Sequence, residues 1–274
     1  EALQAMKRTN KRDEPKGGGS IRVDVAKLDA LMNLVGELIL AETMVTHNED
    51  LRGVSLQNFK KAARDLNRIT RSLQDIAMSV RMVPIRGTFQ KMRRLVRDLS
   101  RKQNKRVELH IIGEQTEVDK NLIESIADPL VHIMRNSVDH GLETPEEREA
   151  AGKDPVGNVY LEARHQSGEV WIQIRDDGRG LNREKIAAKA VSRGLIASGD
   201  HLTDTEVYQL IFAPGFSTAE KVSDVSGRGV GMDVVKRNIE QVKGRVDVTS
   251  RPGKGTTLTL RIPLTLAIID GMIV

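Results

Sequence analysis

Two long stretches of helical periodicity follow a polar segment at the start of the chain. Residues 1–20 are rich in charge and end in Pro-Lys-Gly-Gly-Gly-Ser. Such a composition buries too little apolar surface to order itself, so we expect a flexible linker. From Val25 to about His47, and again from Leu56 to Val80, apolar residues return every three or four positions. This spacing predicts two long amphipathic helices.

The two predicted helices are joined by a short loop around Gly53. A single helical hairpin leaves apolar surface uncovered, and a second copy covers it by completing a four-helix bundle, so a homodimer is expected. Pro84 cannot donate a helical hydrogen bond and biases Val83 away from the α conformation, which marks a boundary. The dimerisation segment is therefore predicted at residues 21–83.

Beyond Pro84 the pattern changes to mixed helix and strand. Alternation and β-branched enrichment predict five strands, at 107–112, 158–165, 170–176, 246–250 and 256–262. Helices are predicted at 88–103, 119–140, 183–193, 204–212 and 230–243, with Gly141 and Gly244 in C-cap positions. These elements indicate an α+β fold, a two-layer α/β sandwich with the helices on one face of a mixed sheet.

Composition narrows the classes of partner. Lys and Arg total 43 against 38 Asp and Glu, a net charge of +5, which suits a phosphate-bearing ligand. The 3% aromatic content argues against nucleic acid. The lack of cysteine in the sequence excludes disulfides and thiolate metal sites and fits a reducing compartment. No apolar run reaches the roughly 18 residues that span a bilayer, so we expect a soluble, cytoplasmic protein without membrane insertion.

One helix is predicted to carry a polar stripe on an otherwise apolar surface. His132, Asn136, Asp139 and His140 follow at i, i+4, i+7 and i+8, which places them on one face at about 100° per residue. The amide oxygen of Asn136 suits a hard cation such as Mg²⁺, with phosphates supplying the anionic ligands. The alternative is a solvated face, or polar groups satisfied within the core.

Glycine-rich segments add a candidate nucleotide site. Residues 176–180, Asp-Asp-Gly-Arg-Gly, end a predicted strand, where a carboxylate can accept from an amine such as that of adenine; an ordinary turn is the alternative. Residues 226–233 carry three alternate glycines at the start of a helix, whose N–H groups suit phosphates. Residues 253–257 most simply form a tight turn between the last two strands. The sequence contains no Walker-type loop, so a nucleotide must be held another way.

These motifs occur in the order and spacing of the ATPase superfamily that unites gyrase, the heat-shock-90 chaperone, histidine kinases and mismatch-repair proteins. Their local sequence closely resembles the bacterial chemotaxis histidine autokinase (CheA) family. The motifs that carry the resemblance are His132-x-x-x-Asn136-x-x-Asp139-His140-Gly141, Asp176-Asp177-Gly178-Arg179-Gly180, Pro214-Gly215-Phe216-Ser217-Thr218, Ser226-Gly227-Arg228-Gly229-Val230-Gly231-Met232-Asp233 and the junction Arg81-Met82-Val83-Pro84-Ile85. The resemblance implies a catalytic domain of the histidine-kinase ATPase (Bergerat) type at 85–264 and the start of a regulatory domain at 265–274.

The resemblance also implies roles around the metal and the base. Asn136 would hold Mg²⁺, and Asp176 would bind the adenine amino group of ATP. Three further polar residues would surround the phosphates and the metal, namely His132, Asp139 and His140. His132 or His140 would act either as a general base or as an orienting group.

The other implied contacts come from glycines, lysines and one threonine. Gly178 and Gly180 would form the floor under the base, with Thr256 near it. Lys185 and Lys221 would contact phosphates, or else remain solvated lysines. The triphosphate would be lined by three glycines, Gly227, Gly229 and Gly231.

The implied reaction transfers the γ-phosphate of ATP to a histidine on a separate phosphoacceptor domain, in trans across the homodimer, for two-component signalling. Residues 212–226, including Ser217 and Thr218, would form a mobile lid that excludes water. His47 is an alternative acceptor on the first helix. Asn48 rather than an acid follows it, which favours a solvated helix end.

Further partners are implied by the same resemblance. Chemoreceptors and the adaptor CheW would bind through the regulatory domain, response regulators would act downstream, and the protein would associate with membrane receptor arrays. The alternative function is an ATP-driven conformational clamp or ATPase of the chaperone or mismatch-repair type. Those branches dimerise through domains after the nucleotide site, whereas the helical hairpin here precedes it.

Overall fold

A computed structural model describes residues 24–48, 51, 57–197, 202–216 and 231–264. The chain divides into two compact units, Glu1–Ala77 and Met78–Val274. The predicted linker at 1–20, the loop around Gly53 and the segment 265–274 lie outside the described residues. The domain limits 21–83 and 85–264 stay predictions.

The first unit contains the two predicted long helices, α1 (Val25–Thr46) and most of α2 (Gln57–Arg81). Asp24 begins α1, because its carboxylate accepts a hydrogen bond from the N–H of Ala26 (2.9 Å), as an N-cap does. The helical pattern of the sequence is therefore confirmed here.

Both long helices keep large apolar side chains open to solvent. Leu34 is 62%, Met44 68% and Ile69 60% exposed. The two helices are joined to each other by a hydrogen bond from Asn67 Nδ2 to Glu42 Oε1 (3.0 Å). A single copy thus presents the apolar surface that the sequence predicts for half of a bundle.

The second unit contains a five-stranded sheet in the order β2-β4-β5-β7-β6, in which only the β2–β4 pair is parallel. Each of the five predicted strands is present close to its predicted limits. A short antiparallel β1–β3 pair, which the sequence pattern misses, lies apart from this sheet. The strands are β1 (Met82–Pro84), β2 (Arg106–Ile112), β3 (Glu117–Asp119), β4 (Val156–Gln166), β5 (Glu169–Asp176), β6 (Arg245–Arg251) and β7 (Gly255–Pro263).

Helices cover one face of this sheet. The helices of this unit are α3 (Arg86–Lys102), α4 (Lys120–Asn136), α5 (Pro145–Ala150), α6 (Arg183–Ser192), α7 (Asp204–Gln209) and α8 (Met232–Gln241), of which α5 contributes no residue to the apolar core. The inward residues of the strands, such as Leu161, Ile172 and Leu260, are fully buried with the apolar faces of the helices. Alternate residues such as Tyr160 and Trp171 lie on the other face, where arginines stack on their rings. The predicted α+β two-layer sandwich is confirmed.

Two details of the helix ends differ from the prediction. The helix predicted at 119–140 ends as an α-helix at Asn136, and a π-helical turn (Ser137–Gly141) follows it. After α8 the left-handed residue is Lys243 (φ 57°) rather than Gly244. Gly244 is needed for close packing instead, because a Cβ there would lie 2.8 Å from the carbonyl oxygen of Arg261.

Candidate functional site

Asn136 is the last residue of α4 and is half-buried. Its side-chain nitrogen donates to Met232 Sδ (3.1 Å) at the first residue of α8. Gly231, the buried N-cap of α8, comes directly before that methionine. With its nitrogen directed at the sulfur, the amide of Asn136 has its oxygen left for a cation.

The π-helical turn after Asn136 changes the predicted polar stripe. Asp139 is half-buried and accepts a hydrogen bond from Gln103 Nε2, while His140 is exposed. His132 is half-buried on α4, and burial, together with the nearby charge of Arg135, lowers its pKa. The prediction of one continuous α-helical stripe is therefore wrong beyond Asn136, because the wider turn rotates the later residues away from α-helical spacing.

Asp176 supplies a buried carboxylate at the end of β5 and is 4% exposed. Its Oδ1 accepts hydrogen bonds from the N–H groups of Gly178 (3.1 Å) and Thr256 (3.2 Å). Desolvation by burial raises its pKa to about 6, although these hydrogen bonds and one from the Ser137 side chain lower it. The group is thus mainly ionised at pH 7, and its Oδ2 is free of these two backbone donors.

Glycines approach this carboxylate from the neighbouring segments. A Cβ on Gly141 would lie 3.2 Å from Asp176 Oδ2, and one on Gly255 would lie 1.9 Å from the Asp176 carbonyl oxygen. Gly178 could not carry a Cβ either, because it would lie 2.1 Å from the carbonyl oxygen of Gly141. Gly180 has φ +71°, and a Cβ there would meet Arg251 O at 2.5 Å. The backbone segments around Asp176 therefore pack so closely that glycine is required at these positions.

Asp177 belongs to a structural network that the sequence pattern does not predict. Arg148 donates to both of its carboxylate oxygens (2.9 and 3.0 Å), and Asn158 donates to it from the backbone and the side chain (2.9 Å each). Partial burial raises the pKa of Asp177, but these hydrogen bonds and the charge of Arg148 outweigh it and hold the pKa below its usual value. Arg148 is 2% exposed and also pairs with Glu143 (3.3 Å).

The remaining predicted site residues differ in what the structure describes. Thr256 is buried beside Asp176 at the start of β7. Lys185 is exposed on α6, and its backbone N–H donates to the side chain of Asn182 (2.8 Å). Within the described residues its ammonium group forms no hydrogen bond or ion pair with Asp176 or Asn136. Five predicted contacts lie outside the described residues, as does the lid beyond Phe216: Ser217, Thr218, Lys221, Gly227 and Gly229.

Family models match both parts of the chain. Residues 125–266 match the model of the histidine kinase-, DNA gyrase B-, and HSP90-like ATPase. Residues 19–80 match the model of the homodimeric domain of signal transducing histidine kinases. The first match covers more than half of the 274 residues and includes His132 through Thr256.

Known relatives are similar over most of the chain. It is 55% identical over 254 residues to the chemotaxis protein CheA of Klebsiella aerogenes, covering 92% of this chain and 39% of that protein. It is 43% identical over 278 residues to the CheA of Bacillus subtilis, covering 99% and 41%. The chain thus spans about two fifths of the length of these relatives. A solved histidine kinase domain, from the blue-light activated histidine kinase of Erythrobacter litoralis EL346, aligns over 87% of this chain and 93% of that chain at 14% identity and a TM-score of 0.41.

Proposed function

This chain belongs to the histidine kinase-, DNA gyrase B-, and HSP90-like ATPase family, and from that premise we propose that it is the ATP-binding and dimerisation core of a chemotaxis histidine autokinase. The core transfers the γ-phosphate of ATP to a histidine on a separate phosphoacceptor domain, in trans across a homodimer. Similarity to CheA proteins at 43% and 55% identity supports the proposal. The structural observation that carries it is the ionised carboxylate of Asp176, buried among glycines at the end of a strand.

Asp176 binds the exocyclic amine of adenine in this proposal. An amine donates hydrogen bonds, so its partner must accept them, and a carboxyl with a pKa of about 6 is ionised at neutral pH. Oδ1 already accepts from Gly178 and Thr256, which fixes the group and leaves Oδ2 for the purine. Gly178 and Gly180 form the floor under the base in this proposal, and both must be glycine because a Cβ would meet the carbonyl oxygens of Gly141 and Arg251.

Asn136 would hold Mg²⁺ through its amide oxygen. Because an amide is neutral, the phosphates of the nucleotide would supply the anionic ligands, and the cation would neutralise charge on them. The start of α8 at Met232 adjoins Asn136, and the unpaired N–H groups of a helix N-terminus favour a phosphate there. The phosphate contacts Lys185, Ser217, Thr218, Lys221, Gly227, Gly229 and Gly231 are part of the same proposal.

The protein acts mainly by positioning and by neutralising charge, since phosphoryl transfer needs little covalent chemistry from the enzyme. His132 is kept neutral near pH 7 by its lowered pKa, so one ring nitrogen can accept a hydrogen bond as a base or as an orienting group. The lid at 212–226 excludes water, which favours transfer to an imidazole over hydrolysis.

Dimerisation uses the exposed apolar residues of α1 and α2. The match of residues 19–80 to a homodimeric histidine kinase domain supports this interface, as do the open side chains of Leu34, Met44 and Ile69. The position of this segment before the nucleotide site favours a kinase over a conformational clamp.

The proposed partners and cellular location rest on the similarity to CheA proteins. Chemoreceptors and CheW would bind through a regulatory domain that begins at about 265, and response regulators would receive the phosphoryl group. We propose a cytoplasmic location at membrane receptor arrays. Among the described helices, none has the length and apolarity needed to span a membrane.

The test adds labelled ATP, Mg²⁺ and an isolated phosphoacceptor domain from a CheA relative to this chain. Acid-labile, base-stable label on that domain is expected, and it should survive His47→Gln, because His47 is an exposed residue at the end of α1. Phosphate release and nucleotide-dependent dimer closure without label on the domain would favour the clamp instead.

A further inference from the structure

A single lysine caps the turn that follows Asn136. Lys105 Nζ donates hydrogen bonds to three backbone carbonyl oxygens, those of Val138 (2.7 Å), Asp139 (2.9 Å) and Leu142 (2.8 Å). An ammonium group has three protons to donate, so each of them is used on the backbone of one turn. We infer that Lys105 is a positioning residue of the nucleotide site, an inference that rests on the proposed function.

The turn needs such a partner for a general reason. The last carbonyl groups of a helix have no intrahelical donor, and the negative end of the helix dipole favours a cation beside them. Here the turn is closed by the hydrogen bond from Leu142 N to Ser137 O (2.8 Å). Gln103, two residues before Lys105, also donates to the Asp139 carboxylate. The connection between α3 and β2 therefore holds both the backbone and a side chain of the turn.

Gly141 transmits this restraint to the carboxylate of Asp176. Its carbonyl oxygen accepts from the N–H of Arg179 (2.9 Å), and its Cα lies so close to Asp176 that a Cβ would be 3.2 Å from Oδ2. Lys105 thus fixes the backbone between Asn136, the proposed cation ligand, and Gly141, which packs on the proposed purine ligand. It sets their separation without touching nucleotide or metal.

If Lys105 were purely structural, its replacement would lower the stability of the protein without changing its affinity for nucleotide. The test therefore measures stability and affinity together. Lys105→Met keeps the aliphatic length and removes all three donors. For this variant we expect the Kd for ADP with Mg²⁺ to rise at least about tenfold, measured by calorimetry at a temperature at which the protein is still folded. Lys105→Arg keeps the charge, but a planar guanidinium cannot direct donors at all three carbonyls, so it should recover only part of the affinity.

Arg261→Met is the matched control. Arg261 is a cation at the opposite end of the sheet from Asp176, where it pairs with Asp247 (2.8 Å) and lies 4.3 Å from the Trp171 ring centroid. The Arg261→Met substitution should lower the Tm and leave the Kd for ADP within about twofold of the wild-type value.

The outcomes separate this inference from the proposed function. Wild-type affinity in Lys105→Met, or an equal loss in Arg261→Met, would overturn the positioning role alone. Should Lys105→Met not fold, wild-type affinity in Lys105→Arg would overturn it. Failure of the wild-type chain to bind ADP would overturn the proposed function and this inference together.

Discussion

Asp176 and Asp177 are neighbours along the chain, but their carboxyl groups have opposite surroundings. Burial raises the pKa of Asp176 to about 6, whereas Asn158 and Arg148 hold the pKa of Asp177 below its usual value despite partial burial. Successive side chains of an extended chain point to opposite faces of a sheet, so the carboxyl groups of Asp176 and Asp177 point in opposite directions. Asp177 is therefore fixed in the scaffold by Arg148 and Asn158, whereas Asp176 is the proposed purine ligand.

Asp176→Asn should stabilise the protein in the absence of nucleotide. The pKa of Asp176 in the fold, about 6, lies above the ordinary 3.8, so the folded state binds the proton more tightly and stability falls as the pH rises between these values. Above that window the buried charge costs about 1–3 kcal/mol, which an amide avoids. Thermal unfolding at pH 7.5 should show a higher Tm for the variant, together with weaker ADP binding. A lower Tm would contradict desolvation as the dominant effect.

Nucleotide affinity should fall as the pH drops through about 6. A protonated Asp176 would present its own hydrogen to the adenine amine, so the bound state needs the carboxylate. The measurement is the Kd for ADP between pH 7.5 and 5. Phosphate groups of the nucleotide titrate in the same range, so Asp176→Asn is measured in parallel. The step attributed to Asp176 should be missing from that variant, and an identical pH profile in both proteins would argue against this ligand role.

Arg148→Met should destabilise the second unit strongly. The substitution leaves Asp177 without its bidentate partner and Glu143 without one of its two cations, in a site where Arg148 is 2% exposed. Removing one partner of a buried ion pair costs about 3–5 kcal/mol. Denaturant unfolding measures the loss. Arg164→Met, which breaks a partly exposed pair with Glu162, serves as the control and should cost less than about 1 kcal/mol. Equal losses would show that burial of the network is not what stabilises it.

Ile69→Glu should weaken the proposed dimer. Ile69 is 60% exposed on α2 in a single copy, and a carboxylate at a packed apolar interface would be desolvated. Light scattering after size exclusion should show a shift towards monomer. Lys60→Gln changes the net charge by the same amount on the opposite side of the helix, nine residues away, and should remain dimeric. A dimeric Ile69→Glu protein would place the interface elsewhere.

The sheet can be predicted from the sequence because alternation marks its inward positions, as at Val159, Leu161 and Ala163 in β4. The β1–β3 pair cannot be predicted in this way, because strands of three residues are too short to show an alternation of apolar and polar positions. Pro84 at the end of β1 also resembles the end of a helix. The short helix α5 leaves a usable signal: Thr144 and Glu147 form a capping box at its start.

The candidate site is predictable only in part, for a physical reason. Asp176 and its glycines follow one another in a local motif, so their chemistry can be inferred from residue type and spacing. The donors to Asp177 and the carbonyl acceptors of Lys105 lie 19 to 37 residues away in the chain. Contacts at that range depend on the completed fold, and no local pattern encodes them. The π-helical turn is missed because helical periodicity continues through it in the sequence.

The decisive measurement is a structure of this chain with a non-hydrolysable ATP analogue and Mg²⁺. We expect the adenine amino group within hydrogen-bonding distance of Asp176 Oδ2 and the metal ion on Asn136 Oδ1. Nucleotide bound at another place, with both side chains pointing away from it, would show that these residues do not form the ATP site.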